Sequence, residues 1–573
     1  MKRSQLDLSF KPESNRTLRP RYLCFVDDFY QRGQIIRSDS RNVAEWMEQT
    51  KTITHPDYLF VAYAKQQFQT DEDWDELLRL AVQAAIDKGL TAFWLSSECV
   101  KGDSDSRVVE DVWRMSDIVR GASRMAIVLG RQDSTSSAER NALLKGWGKR
   151  MWTLPEALLS PRGEFMLYQV GNTVGGPVGK KSLAVLAWED APVSRQLMDH
   201  FEGSIILTPL ELVVIALRCL NERDTTIHDF SDRIRGEMAY VLMGLLRKRP
   251  EVNLEDSAFQ AFARLSLAND SHKLLERLAC VMPKYPHLPW HDTRDHWDAQ
   301  LWDIYTECQV AGIGENDSII LDGAYGASVL WERFEQVHYA AKDSFRRQIC
   351  RIALRLTLLM FLIGIVMALM LKGSGYDGIG IVLLLLALVI TSASPYLVRV
   401  LYSGKLWNTQ ALFFGFEGYM DIATIETHIF GANMNRLSWS PYGSPLSRHK
   451  PGKHGECIGL DPTTDATTKE SVEATYRLKK DKVRPNSRRI FTLIDTFNMT
   501  VTLFEAERPP VAVLVCGSEG GMQRAILCSY DSINNTFCRE SVLRMDTKIL
   551  DRMDRVPRLR FCFRRSMLND QDG

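Results

Sequence analysis

The sequence predicts an α/β N-terminal domain with a mostly parallel sheet, then a mainly helical region, a two-helix transmembrane hairpin and an α+β C-terminal domain. Three observations carry this reading. Short apolar runs alternate with helical apolar spacing between residues 58 and 188. Two charge-free apolar runs lie close together at 356–371 and 379–398. Apolar, β-branched runs crowd residues 491–529. The boundaries follow from them: a polar tail at 1–20, the α/β domain at 21–200, the helical region at 201–345, the hairpin at 350–400 and the last domain at 405–573.

Within the first domain, residues 58–63 (YLFVAY) read as a buried strand. Thr70 and Asp73 then form a cap ahead of a helix carrying Trp74, Leu77, Leu78, Ala81 and Ala85, which Gly89 ends. Residues 91–95 (TAFWL) make a second strand. Val108, Val112, Met115 and Val119 make a second amphipathic helix, and residues 125–129 (MAIVL) a third strand. Residues 131–149 read as a loop, and residues 165–168 and 183–188 as further strands. Parallel α/β sheets hold ligands at the carboxyl ends of their strands. Ser96, Glu98 and Cys99 fall at such an end, just after the second strand.

Composition narrows the function classes. The chain carries 71 basic and 71 acidic residues, so no global charge attracts a polyanion and no nucleic-acid partner is expected. The 11 cysteines are dispersed and form no CxxC pair, which fits a reducing compartment. The polar N-terminal tail has no apolar segment of the signal-peptide kind. His287, His291, Asp292, Asp295 and His296 crowd one proline-broken stretch, but their spacing matches no standard metal set, and no metal is expected.

The apolar runs give the chain its membrane expectation. A helix needs about 20 residues to cross roughly 30 Å of hydrocarbon. The spans are expected at about 352–371 and 379–398, with Arg355 snorkelling at the start of the first. The segment 372–378 (KGSGYDG) is a turn, so both large flanks emerge on one side. Arg346, Arg347, Arg351, Arg355, Arg399 and Lys405 place that side in the cytoplasm. The sequons at Asn316, Asn498 and Asn534 would then go unused, and glycans on them would refute this topology.

Four blocks carry a resemblance to a known family. "YLFVAYAKQ", "GLTAFWLSSECV", "VVEDVWRMSDIVRGASRMAIVLG" and "RMWTLPEALLSPRGEFM" resemble, in order and spacing, the fungal heterokaryon-incompatibility (HET) domain. The likeness covers roughly residues 55–170. It is strongest at Arg150, Trp152, Thr153, Leu154, Glu156, Leu159, Ser160 and Arg162, and it includes Trp94 and Cys99. Residues 237–250 are similar to a segment often found after that domain. The resemblance implies a fold like that of Toll/interleukin-receptor (TIR) domains. It also implies a role in fungal non-self recognition or regulated cell death, acting through self-assembly or protein partners. Some TIR domains cleave NAD with a glutamate four residues after a tryptophan, the separation of Trp152 and Glu156. The resemblance therefore implies Glu156 as catalytic carboxylate, NAD as substrate, and Tyr63, Trp94, Ser96, Cys99, Arg150 and Trp152 around the ligand. Ala62, Lys65, Ser96 and Pro155 depart from the family pattern. These departures favour interaction over retained catalysis.

Glu156 also has a purely structural reading. Thr153 followed three residues later by Glu156 is a capping box, and Pro155 suits a first helical turn. A carboxylate there could instead stabilise the positive charge that builds on a ribose as a glycosidic bond breaks. Packing is the structural reading of Cys99, Trp94 and Trp152. A third overall reading is a structural membrane protein whose HET-like part is a relic.

Elsewhere, residues 205–282 read as helices and 311–331 as strands joined by glycine turns. Residues 516–525 (CGSEGGMQRA) read as a glycine turn between strands. The basic run at 479–489 reads as a solvated loop able to meet anionic lipid.

Overall fold

The computed structural model describes residues 19–31, 34–100, 105–131, 137–171, 176–224, 226–227, 234–246, 248–269, 273–285, 289–331, 339–341, 345–370, 373, 376–402, 407–480 and 488–563. Most of the expected tail, His287, residues 372, 374 and 375 of the expected turn and most of the basic run at 479–489 lie outside them. The chain forms two compact units. One holds residues 1–326, 512–547 and 553–573; the other holds 327–511 and 548–552.

A seven-stranded mixed sheet heads the first unit. Its strands are β1 (Tyr22–Phe25), β2 (Arg41–Asn42), β3 (Tyr58–Tyr63), β4 (Ala92–Leu95), β5 (Arg124–Leu129), β6 (Glu164–Gln169) and β7 (Pro177–Gly179), in the spatial order β2-β1-β4-β3-β5-β6-β7. The four central strands are parallel, and β1, β2 and β7 add antiparallel edges. β3 is buried at all six positions, which is why it reads as an unbroken apolar run. The chain leaves β3 to one side for β4 and returns to the other for β5. The order therefore reverses at β3, and its carboxyl end is a switch point.

Helix α1 (Asp71–Asp87) starts as its sequence requires. Asp73 N–H donates to Thr70 Oγ1 at 3.2 Å, and Thr70 N–H donates back to the Asp73 carboxylate at 3.4 Å. Gly89 follows with φ +64°, open to glycine at little cost. α2 (Asp105–Gly121) carries the second expected helical face.

Two secondary-structure expectations in this domain fail. Residues 137–148 are not loop but helix α3 (Ser137–Gly148), with Leu144 and Trp147 buried. Residues 183–188 are not a strand, because Lys180–Ala187 is helical and buries Leu183, Ala184 and Ala187 on one side while Val185 is exposed. That spacing satisfies a helix as well as a short strand, and tertiary contact decided between them.

The rest of the first unit holds the helices Pro209–Asn221, Glu237–Met243, Ala258–Ala268 and Leu274–Ala279, as expected, and a second sheet. In that sheet Ser318–Trp331 pairs with Asp554–Cys562 from Ser318 to Gly326, and Ala512–Glu519, Met522–Asp531 and Thr536–Asp546 pair in series. The glycine turn is confirmed: Gly520 and Gly521 both have positive φ between two hairpin strands. The linear boundary at 405 does not hold, because residues 512–547 and 553–573 belong with the N-terminal unit. Within 201–345, Gln309–Ile313 and Ser318–Trp331 are strands, as expected of residues 311–331.

The second unit holds the sheet strands Phe413–Glu417, Arg489–Asp495, Thr500–Ala506 and Ser438–Trp439, in that order. It also holds α4 (Phe345–Met370), α5 (Asp377–Ser392) and α6 (Ser394–Tyr402). One helix, from Phe345 to Leu369, is long and apolar enough to cross a membrane by length and composition. The α5–α6 pair, bent by 56°, passes only if taken as one span.

Candidate functional site

The carboxyl ends of β3 and β4 gather most of the residues singled out from the sequence. Ala62 and Tyr63 end β3. Trp94, in β4, stacks on Phe60 with ring centres 5.0 Å apart. Ser96 opens a single helical turn after β4, and its Oγ donates to the Tyr63 hydroxyl at 3.0 Å.

The remaining residues arrive on the short helix Thr153–Leu159 and the turn before it. All seven of its residues are buried. Arg150 donates through Nη2 to Glu156 Oε1 at 3.2 Å, and both side chains are almost fully enclosed. The capping box is not formed. Thr153 is the first helical residue, and its hydroxyl donates backward to the Arg150 carbonyl at 2.8 Å. The Glu156 N–H joins the Trp152 carbonyl at 3.0 Å, while its side chain turns to the guanidinium. Burial explains the change: an enclosed guanidinium needs a carboxylate, and the Thr153 hydroxyl finds its own partner in the Arg150 carbonyl.

Trp152 brings in a residue the sequence reading missed. Its indole N–H donates to Glu237 Oε1 at 2.7 Å, and Glu237 is buried at the start of its helix. No short-range signal in the sequence links it to Trp152, which lies 85 residues earlier. That helix packs closely on α2, since a methyl on Gly244 would come within 2.0 Å of Ser116 Oγ. At the other end of Thr153–Leu159, the buried Lys180 ammonium donates to the carbonyls of Leu158 (3.2 Å) and Ser160 (2.6 Å). Burial pulls the Lys180 pKa down to about 8.

Cys99 does not join this group. Its sulfur lies 3.9 Å from that of Cys24 in the core, a packing contact.

Two spaces meet at Tyr63 and Ser96. Outside is a cleft of about 470 Å³ lined by Arg37, Tyr63, Lys65, Trp74, Ser96 and Glu98 among others. Inside is a chamber of about 10 Å³ bounded by Ala62, Trp94, Met115, Arg150, Trp152 and Glu156 as well as Tyr63 and Ser96. A space of that size holds about one water molecule. In this arrangement no sugar ring reaches the Glu156 carboxylate. The outer cleft has the volume of a small-molecule site and presents an aromatic ring, hydroxyls and both signs of charge.

The histidine and aspartate stretch is tied into the protein itself. Asp295 receives both terminal nitrogens of the fully buried Arg524, at 3.0 and 3.1 Å. Asp292 pairs with Arg294, and His291 Nδ1 lies 2.6 Å from Asn221 Oδ1. No family model matches the chain, nor does any curated protein or solved structure.

Proposed function

We propose that this is a membrane-anchored, HET-domain-like protein whose α/β unit acts in fungal non-self recognition or regulated cell-death signalling by assembly and interaction. The observation that carries the choice of interaction is the enclosure of Glu156. It is 1% exposed, paired with Arg150, and faces a space for one water. A carboxylate so placed organises its own helix. On this reading the apolar helices of the second unit anchor the chain as a hairpin, and both large flanks face the cytoplasm. Confinement to a membrane raises local concentration, and self-assembly then serves as the signal.

NAD cleavage is the second reading, and one observation favours it. The open cleft and the closed chamber share Tyr63 and Ser96, so a turn of the Tyr63 side chain would connect the cleft to Glu156.

The test is nicotinamide release by the full chain in lipid nanodiscs, free and clustered, beside Glu156→Gln. The full chain is required because strands between 512 and 562 belong to the N-terminal unit. Clustered protein that stays folded and releases no nicotinamide supports interaction. Release that Glu156→Gln abolishes, with its circular dichroism unchanged, overturns it in favour of the enzyme.

A further inference from the structure

A second cleft of the first unit, about 500 Å³, shares no residue with the site at Tyr63 and Glu156. The turn ahead of the helix Ala191–Phe201, the end of the helix Pro209–Asn221 and residues 292–300 bound it. A space of that volume encloses a small molecule.

Most of its charges are already matched within the protein. Asp190 receives both terminal nitrogens of the buried Arg223, at 2.7 and 3.5 Å. Asp292 is held by Arg294 and Asp295 by Arg524. Asp298 holds the Lys284 ammonium at 2.9 Å. The Arg223 and Arg524 pairs are almost fully enclosed, and breaking either would strand a buried charge, so these walls are held in place.

Two charges are left over. Arg218 donates through Nε to Thr293 Oγ1 at 3.0 Å and through Nη2 to Gln300 Oε1 at 2.6 Å, both neutral oxygens. Among the described residues it forms no ion pair, and its Nη1 has no acceptor. Its guanidinium lies 5.8 Å from the centre of the Trp302 ring, and the side chain is half-buried. Burial is the largest influence on its pKa and pulls it down, with the charge of Asp292 opposing. A guanidinium partly removed from water is best answered by a carboxylate in its fork. The other unanswered charge is Glu189, exposed on the same cleft, which pairs with no described cation. Glu222, also exposed, reaches only Arg294, at 3.8 Å.

Six acidic side chains line the cleft against three basic ones. Counting Arg223 and Arg524, which pair with two of them, the balance stays negative. A phosphate or a second carboxylate on the ligand is therefore disfavoured, and an ammonium is favoured.

We propose that this cleft binds a free α-amino acid, its carboxylate in the fork of Arg218 and its ammonium facing Glu189 and Glu222. Pro192, Val193 and Ala299 supply apolar surface for the ligand's side chain. The site stands independently of the membrane-anchored reading above.

The purified full chain, in mild detergent, is titrated calorimetrically with each of the common amino acids. At least one is expected to bind with a Kd below about 1 mM. Arg218→Gln should weaken that binding about 10–100-fold, as expected of a charged hydrogen-bonded pair. Gln300→Glu keeps Arg218 and gives it an internal carboxylate, so it should weaken binding to a similar degree even where Arg218→Gln fails to fold. Glu189→Gln, at an exposed position, should cost about two- to five-fold. Removing the ligand's amino group should cost as much in the unaltered chain and nothing further in Glu189→Gln. Binding that is unchanged in folded Gln300→Glu overturns the site. So does a folded, unaltered chain that binds no amino acid with a Kd below about 1 mM, or that binds inorganic phosphate in their place.

Discussion

Glu156 and Glu426 are both buried carboxylates, one in each unit, and they are satisfied in opposite ways. Glu426 receives four backbone N–H groups, from Met434, Asn435, Arg436 and Leu437, at 2.5–2.7 Å. Those bonds hold its pKa below the usual carboxylate range against the opposing effect of burial. Glu156 receives a side chain, the Arg150 guanidinium, and borders a small space. A carboxylate wrapped by backbone donors is fixed by the loop it closes. One answered by a side chain can be exchanged together with its partner. The comparison separates a carboxylate that shapes a loop from one whose partner can be changed.

The largest effect is expected at Glu426. Glu426→Gln sets amide N–H groups against backbone N–H groups and should cost the second unit about 3–5 kcal/mol in denaturant unfolding. No second substitution can relieve it, because the donors are main chain. Glu156→Leu should cost the first unit about 3 kcal/mol by leaving Arg150 buried beside an apolar side chain. Adding Arg150→Met should recover most of that loss. A double variant as unstable as the single one would make the two carboxylates alike and break the contrast.

Acid separates the two units further. Burial holds the His291 pKa down at about 4, against about 6.5 for a free histidine. The unfolded chain binds the extra proton first, so this stability is complete above pH 6.5 and is lost as pH falls toward 4. The loss should approach 3 kcal/mol. Glu426 acts lower. Its stabilisation is complete above the ordinary carboxylate value and is lost as pH falls through its depressed one. On acidification, amide hydrogen exchange should therefore quicken in the first unit before the second. His291→Gln should remove the earlier step. The smallest effect is at the helix start: Thr70→Ala should cost about 1 kcal/mol, read as a modest shift in the first unit's unfolding midpoint.

The local chemistry of the chain was legible. Residues 58–63 form a central strand because their unbroken apolar run is buried on both faces. Thr70 and Asp73 cap a helix because their two side chains reach the free N–H groups beside them. Pairs of that kind lie within a few residues, so the sequence contains both partners. Residues 183–188 and 137–148 were less legible, because their short apolar spacings fit more than one element.

By itself the sequence determined the α/β alternation, the β3, β4 and β5 strands, the cap at Thr70, the glycine turn at 520–521 and the apolar helices. Each depends on residue type and spacing over a few turns of chain. Only the tertiary structure decided that residues 512–547 and 553–562 return to the first unit, that Glu156 faces Arg150 instead of capping its helix, and that Glu237 answers Trp152. Those choices join positions as much as 85 residues apart within the site, and more than 200 apart in the second sheet. They are settled by which buried polar group finds a partner and which apolar faces meet. No local stretch of residues carries that information.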